Sequence, residues 1–154
     1  MKAMILAAGR GERMRPLTDS CPKPLLTVAG KPLIVYHIEK LVAVGIKSIV
    51  INHAWLGDKL EHSLGDGSQF GAKISYSRET AGALETAGGI ANAMSLLGEE
   101  PFLVVNGDIF IEYDFSHLPI LTSNTLAHLW LTSNPEHNLR GDFYLVDGQL
   151  TNQL

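Results

Sequence analysis

Apolar positions along this chain recur with two alternating periods, and the alternation predicts strands and helices in turn. Residues 2–6 form a short apolar run that reads as a buried strand, followed by a polar, glycine-rich stretch. Across residues 32–44, Ile34, Ile38, Leu41 and Val42 fall on one helical face. Pro32 suits the first turn of that helix and Gly45 ends it. Residues 48–51 are a β-branched strand, and residues 58–64 a short helix closed by Gly65-Asp66-Gly67. Residues 73–77 alternate as a strand. Residues 86–97 read as a helix with Thr86 as N-cap and Gly98 as stop. Residues 102–105 are a buried strand ending at Asn106-Gly107-Asp108. Later, residues 127–132 and 143–146 read as strands, and Asp147-Gly148 as a hairpin turn into residues 149–154.

This order predicts an α/β fold, a Rossmann-like, doubly wound and mainly parallel sheet. Ligands of such sheets bind at the carboxyl ends of the strands. The 6–25 loop and the 106–108 turn both leave such ends, so both can face one site. No repeat or linker interrupts the pattern, and a single domain over residues 1–154 is expected. The last strand stops partway through a hairpin, which reads as a domain truncated at its C-terminus.

Composition narrows the class. The chain has 154 residues, 45% hydrophobic and 18% charged, as in an ordinary globular protein. A net charge of −4 argues against nucleic acid or an anionic membrane surface as the main partner. Cys21 is the single cysteine, so no intrachain disulfide is possible. No apolar run approaches the roughly 20 residues of a membrane span. Met1-Lys2 leads into a strand and not into a signal peptide. A cytoplasmic protein is the default expectation.

Against this acidic background, residues 6–25 (LAAGRGERMRPLTDSCPKPL) gather Arg10, Arg13, Arg15 and Lys23 around Gly9 and Gly11. Glycine lets amide groups approach phosphate oxygens, and guanidinium forks bind them bidentately. A dinucleotide fingerprint is excluded, because Met14 stands where its third glycine belongs. A Walker loop is excluded by the lack of a following Gly-Lys-Ser/Thr. A solvated basic turn is the bland alternative.

Three further stretches carry candidate chemistry. Asp108, just past a buried strand, is a hard anion suited to Mg²⁺, with Gly107 leaving room for the ion; an ordinary Asn-Gly-Asp turn is the alternative. Residues 79–89 (ETAGALETAGG) offer glycines and helix-start amides to a base or sugar, or are simply a loop and a capped helix. Arg140-Gly141-Asp142-Phe143 enters a late strand, either as a sugar contact or as a plain turn. The six histidines form no zinc pattern, and Trp55 and Trp130 read as core or loop anchors. No Ser/His/Asp or Cys/His arrangement supports covalent catalysis.

Leu6-Ala7-Ala8-Gly9-x-Gly11-x-Arg13, then Pro16-Leu17-Thr18, then Pro22-Lys23-Pro24, resembles the signature of the sugar-1-phosphate nucleotidyltransferases. The resemblance implies a fold of the nucleotide-diphospho-sugar transferase type. It implies that Leu6, Ala8, Gly9 and Gly11 wrap a nucleoside triphosphate, and that Arg13 and Lys23 are catalytic groups on its phosphates. It implies that Asp108 binds Mg²⁺ between nucleotide and sugar phosphate, and that Asn106 and Gly141 meet the sugar. Glu79 is then placed to accept a uracil N3–H, with backbone donors at Glu85, where the family often has glycine. Residues 51–57, 84–89, 105–108 and 140–143 look most like a uridylyltransferase branch. Its substrates are UTP and the α-1-phosphate of N-acetylmuramic acid, in peptidoglycan recycling. Mannose-1-phosphate guanylyltransferases share the general signature, and related domains serve as silent nucleotide-sugar-binding modules. Family members continue past this point, with a later Glu-Lys segment and a second metal-binding aspartate.

Overall fold

The structure is a computed structural model that describes residues 1–79, 84–122 and 124–151. In chain order it contains β1 (Lys2–Leu6), a 3₁₀ turn at Glu12–Met14, α1 (Leu17–Ser20), a 3₁₀ turn at Lys23–Leu25, β2 (Thr27–Val28) and β3 (Lys31–Pro32). There follow α2 (Leu33–Ala43), β4 (Ser48–His53), α3 (Gly57–Leu64), a 3₁₀ turn at Ser68–Phe70, β5 (Lys73–Arg78), α4 (Glu85–Leu97) and β6 (Phe102–Asn106). Last come β7 (Tyr144–Val146) and β8 (Gln149–Thr151). The elements fall into two units, Met1–His117 and Leu118–Leu154.

The first unit is built on a four-stranded parallel sheet of order β5-β4-β1-β6. From β1 the chain moves outward through β4 to β5, then returns to place β6 on the other side of β1. The reversal falls between β1 and β6, the switch point at which doubly wound sheets bind ligands. Register puts Leu6 level with Asn52 on one side and Asn106 on the other.

The apolar runs explain the layers. Ala3, Met4 and Ile5 are all fully buried, and successive strand residues point to opposite faces, so both faces of β1 are covered. Met4 packs with Val50, Ala93 and Leu97, flanked by Leu6, Ile90 and Phe102, which docks α4 on one face. The stripe read from the sequence of α2, Ile34, Ile38 and Leu41, is its buried side.

The sequence-based boundaries of β1, α2, β4, α3, β5 and β6 lie within two residues of the observed ones. Two expectations need correction, and one hairpin was not foreseen. Thr86 is not the N-cap of α4: the helix opens at Glu85, and its start is tied by the Leu84 N–H donating to the Glu79 carboxylate at 2.7 Å. The carboxylate just past β5 holds the helix start where a local hydroxyl was expected. Residues 127–132 form no strand, because alternation alone cannot make a ladder without a neighbour, and Leu129, Trp130 and Leu131 are exposed. The hairpin β2–β3 was not legible, since its strands are two residues each and it turns on Ala29 and Gly30, both at positive φ.

In the second unit β7 and β8 pair antiparallel around Asp147 and Gly148, whose φ values of 49° and 76° suit a two-residue hairpin turn. Of the expected strand at 149–154, residues 152–154 lie outside the described residues.

Met4, fully buried in the central strand, is expected to lose roughly 2–5 kcal/mol of stability on replacement by alanine. Urea unfolding checks this; a loss below about 1 kcal/mol would contradict the packing of α4 on β1.

Candidate active site

The loop that follows β1 is fastened at its start. The Gly107 N–H donates to the Leu6 carbonyl at 2.9 Å, and the Ala7 N–H to Asn52 Oδ1 at 2.9 Å. Gly107 is required by this contact, because a Cβ there would lie 2.9 Å from both Ile5 Cγ2 and the Leu6 carbonyl oxygen. The space it leaves is filled by β1, which corrects the reading that it makes room for an ion. Further on, the buried Thr18 donates its hydroxyl to the Gly11 carbonyl at 2.9 Å. Gly11 adopts φ 68°, and a Cβ would press to 3.1 Å from Thr18 Cγ2 and Lys23 Cβ. From the segment that follows β4, Trp55 Nε1 donates to the Thr18 carbonyl at 3.1 Å and Lys59 Nζ to the Ser20 carbonyl at 2.6 Å. Trp55 is thus a loop anchor. Gly9 differs: it is exposed, and a Cβ there would meet open space.

The four cations of the loop are not equivalent. Arg10 stacks on Trp55, 3.9 Å from the ring centroid, and lies 3.8 Å from Glu12. Arg15 pairs with Asp19 at 2.7 Å, and Lys23 with Asp108 at 2.5 Å. Arg13 is exposed in the 3₁₀ turn and has no ion pair among the described residues. Partly exposed pairs are worth about 1 kcal/mol or less, so a phosphate can displace their carboxylates.

Lys23 and Asp108 are 85 positions apart in sequence, yet the switch point between β1 and β6 brings them into contact. Asn106 ends β6 beside Leu6 and is exposed. The segment after Asp108 is held by α2: His37 Nε2 donates to the Ile109 carbonyl at 2.8 Å, and Lys40 Nζ to the Ile111 carbonyl. Sequence reading assigned neither residue to the site. A polar residue on the buried face of a predicted helix was the available signal. Burial pushes the His37 imidazole below its ordinary value of 6.5, and its Nδ1 is buried without a partner.

Among the described residues no three of His, Cys, Asp and Glu gather closely enough to hold a metal ion. A magnesium ion does not need such a cage, since it keeps several waters and takes one or two carboxylates along with substrate phosphates. Asp108, a partly exposed carboxylate beside the glycine loop, fits that donor set.

At the carboxyl ends of β4 and β5 the side chains are largely committed to one another. Glu79 is buried, with one carboxylate oxygen 2.7 Å from Asn52 Nδ2 and the other 2.7 Å from the Leu84 amide. The group expected to accept a uracil N–H thus already has a partner on each oxygen. Glu85 is exposed and adopts φ 60°, a conformation that favours glycine, which explains why glycine suits this position. His53 is buried and bound to Glu61 at 2.7 Å, under Gly57, whose Cβ would fall 1.9 Å from the ring. Arg78 grips the same Glu61 with two bonds of 2.6 and 2.8 Å. A cavity of about 250 Å³ lies here, lined by His53, Ala54, Leu56, Gly57, Arg78 and Glu79.

The structure therefore brings Leu6, Ala8, Gly9, Gly11, Arg13, Lys23, Asn106 and Asp108 to one edge of the sheet, with Glu79 and Glu85 at the adjoining strand end. Gly141 belongs to the second unit. It sits in a turn closed by its N–H donating to the Asn138 carbonyl at 3.1 Å, and a Cβ there would lie 2.6 Å from Asn134 Oδ1.

A doubly wound sheet with a basic glycine loop at its switch point defines a nucleotide-handling α/β domain. A nucleotidyl transferase family model matches residues 2–130, and the chain belongs to that family. It is 62% identical over 151 residues to the N-acetylmuramate alpha-1-phosphate uridylyltransferase of Neisseria meningitidis serogroup B, covering 95% of this chain and 65% of that protein. It is 39% identical over 121 residues to a mannose-1-phosphate guanyltransferase of Xenopus laevis, covering 77% of this chain and 33% of that one. The crystal structure of HddC from Yersinia pseudotuberculosis complexed with GMP-PN superposes with a TM-score of 0.65 at 29% identity, over 74% of this chain and 50% of that chain. The chain spans less than two thirds of the length of each.

Burial of His37 makes stability depend on pH. Below its ordinary value of 6.5 the unfolded chain takes up a proton that the folded protein resists, so stability falls as pH drops through 6.5. The loss continues until the folded imidazole itself titrates. Replacing His37 with glutamine keeps a donor for Ile109 and removes the titration. Thermal melts between about pH 7.5 and 5.5 are expected to show a shallower decline in the variant; equal slopes would contradict the assignment.

Proposed function

We propose that this chain carries the nucleotide-binding part of a uridylyltransferase that moves UMP from UTP onto a sugar 1-phosphate and releases pyrophosphate. The proposed acceptor is N-acetylmuramic acid α-1-phosphate, and the setting peptidoglycan recycling in the cytoplasm. The observation that carries the reading is the exposed Arg13, free of ion pairs among the described residues, in the same loop as Lys23, which meets Asp108 at the switch point. The 62% identity to the Neisseria enzyme supports the choice of base and sugar. Among the described residues no helix is long and apolar enough to cross a membrane.

The sugar phosphate is already an anion at neutral pH, so its oxygen can attack the α-phosphorus without an enzyme nucleophile, and pyrophosphate leaves in line. Two anions must approach, so charge neutralisation and alignment dominate the barrier. The backbone at Leu6, Ala8, Gly9 and Gly11 receives the nucleotide, with the open side of Gly9 admitting phosphate oxygens. Arg13 stabilises charge on the transferring and leaving phosphates. Lys23 exchanges its Asp108 partner for a phosphate. Asp108 would hold Mg²⁺, which supplies Lewis-acid neutralisation of the phosphate oxygens when bound. Glu79 and the amides at Glu85 are assigned to the base, and Asn106 to the sugar.

A mannose-1-phosphate guanylyltransferase is the second reading, favoured by the 39% identity to the Xenopus enzyme. Guanine also presents an N–H for a carboxylate such as Glu79.

Arg13→Ala is expected to lower kcat/KM by about 10²–10³-fold in a pyrophosphate-release assay. Near-normal turnover would overturn its assignment. A matrix of UTP, GTP, CTP and dTTP against muramate, glucosamine, glucose and mannose 1-phosphates is expected to favour UTP with the muramate. Preference for GTP with mannose 1-phosphate selects the second reading, and nucleotide binding without pyrophosphate release marks a silent module.

A further inference from the structure

Asn52, the penultimate residue of β4, is 3% exposed and lies in the middle of the sheet's carboxyl edge. Its side-chain carbonyl accepts the Ala7 N–H at 2.9 Å, and its amide donates to Glu79 Oε1 at 2.7 Å. Glu79, 6% exposed, accepts the Leu84 N–H on its other oxygen at 2.7 Å. One buried relay therefore joins the first residue of the glycine loop, the ends of β4 and β5, and the start of α4. The helix admits the relay only through Gly89, where a Cβ would lie 2.7 Å from both Asn52 Nδ2 and Glu79 Oε1.

The relay has a direction. The Ala7 N–H can only donate and the Glu79 carboxylate can only accept, so the group between them must accept at one end and donate at the other. A primary amide does both on one rigid plane. Leaving a buried donor or acceptor unpaired costs more than the net worth of the bond, so the relay is made whole or it pulls its segments apart.

We propose that Asn52 is a positioning residue for nucleotide binding, holding the glycine loop at Ala7 at a fixed spacing from the Leu84-Glu85 start of α4. It touches no substrate and acts through Glu79 and the two backbone segments. The inference rests on the assignment of those segments to the nucleotide, and it adds a reason why a change at β4 reaches both.

The test reverses the relay's polarity. Asn52→Asp sets two carboxylates against each other and removes the donor. Combining it with Glu79→Gln restores complementarity: the new side-chain amide on the β5 side donates to the new carboxylate on β4, and its carbonyl accepts the Leu84 N–H. UTP affinity is measured by titration calorimetry, alongside KM and kcat and a thermal melt of each protein. Asn52→Asp is expected to weaken UTP binding at least tenfold and raise KM with kcat changed less than threefold, and the double variant to recover most of the melting temperature that Asn52→Asp loses. Gly89→Ala, which crowds the relay from α4 without altering it, is expected to weaken UTP in the same direction, and it carries the test if Asn52→Asp does not fold. Unchanged UTP affinity in Asn52→Asp and Gly89→Ala, or a double variant that melts no higher than Asn52→Asp, overturns the inference. Failure of the unaltered protein to bind UTP or any other nucleoside triphosphate overturns the functional reading instead.

Discussion

β1 pairs in parallel with β4 on one side and β6 on the other, and that register puts Leu6 between Asn52 and Asn106. The loops of the site hang from this row of strand ends. Each exit is then tied to its neighbour: Gly107 to Leu6, Ala7 to Asn52, and Glu79 to the His53 carbonyl at 2.9 Å. Backbone groups that leave a buried parallel sheet must find partners. Here they find them across the row, so the glycine loop, the 106–108 turn and the start of α4 are tied into one frame. His37 and Lys40 extend the frame from α2 to the far side of Asp108.

Charge follows the same logic. A chain of net charge −4 concentrates four cations in one loop, and the fold supplies local carboxylates to three of them. The pairs are partly open to water, so each is a weak hold that a multiply charged phosphate can replace. Arg13 is the exception, and its freedom from such a pair among the described residues distinguishes it from Arg10 and Arg15, which look identical in the sequence. The Lys23–Asp108 pair joins the group assigned to phosphate with the group assigned to metal, so neither stands as an isolated charge before substrate arrives.

Glycines were a strong sign of function in the sequence, and several of them prove to serve packing. Gly57 makes space for His53, Gly89 for the Asn52–Glu79 relay and Gly107 for β1, while Gly11 turns the loop at positive φ. Gly9 is the loop glycine with open space above it. A glycine required by a neighbouring side chain and one left open for a ligand read the same in one dimension. The strand expected at 127–132 failed for a related reason: alternation is local, but a ladder needs a partner strand. The N-cap at Thr86 failed because the group that binds the helix start is Glu79, just past β5.

By itself the sequence determined the order of the four sheet strands and of α2, α3 and α4, the buried stripe of α2 and the location of the glycine loop. These follow from periodicity and turn chemistry over a few neighbouring residues, as with Ile34, Ile38 and Leu41 on α2 or Met4 in β1. Only the tertiary structure decided which charges meet, which glycines are filled and which donors end on Glu79. The decisive ones join residues far apart in the chain, Asn52 with Glu79 at 27 positions and Lys23 with Asp108 at 85. Their proximity is set by strand order and register, which no local pattern encodes.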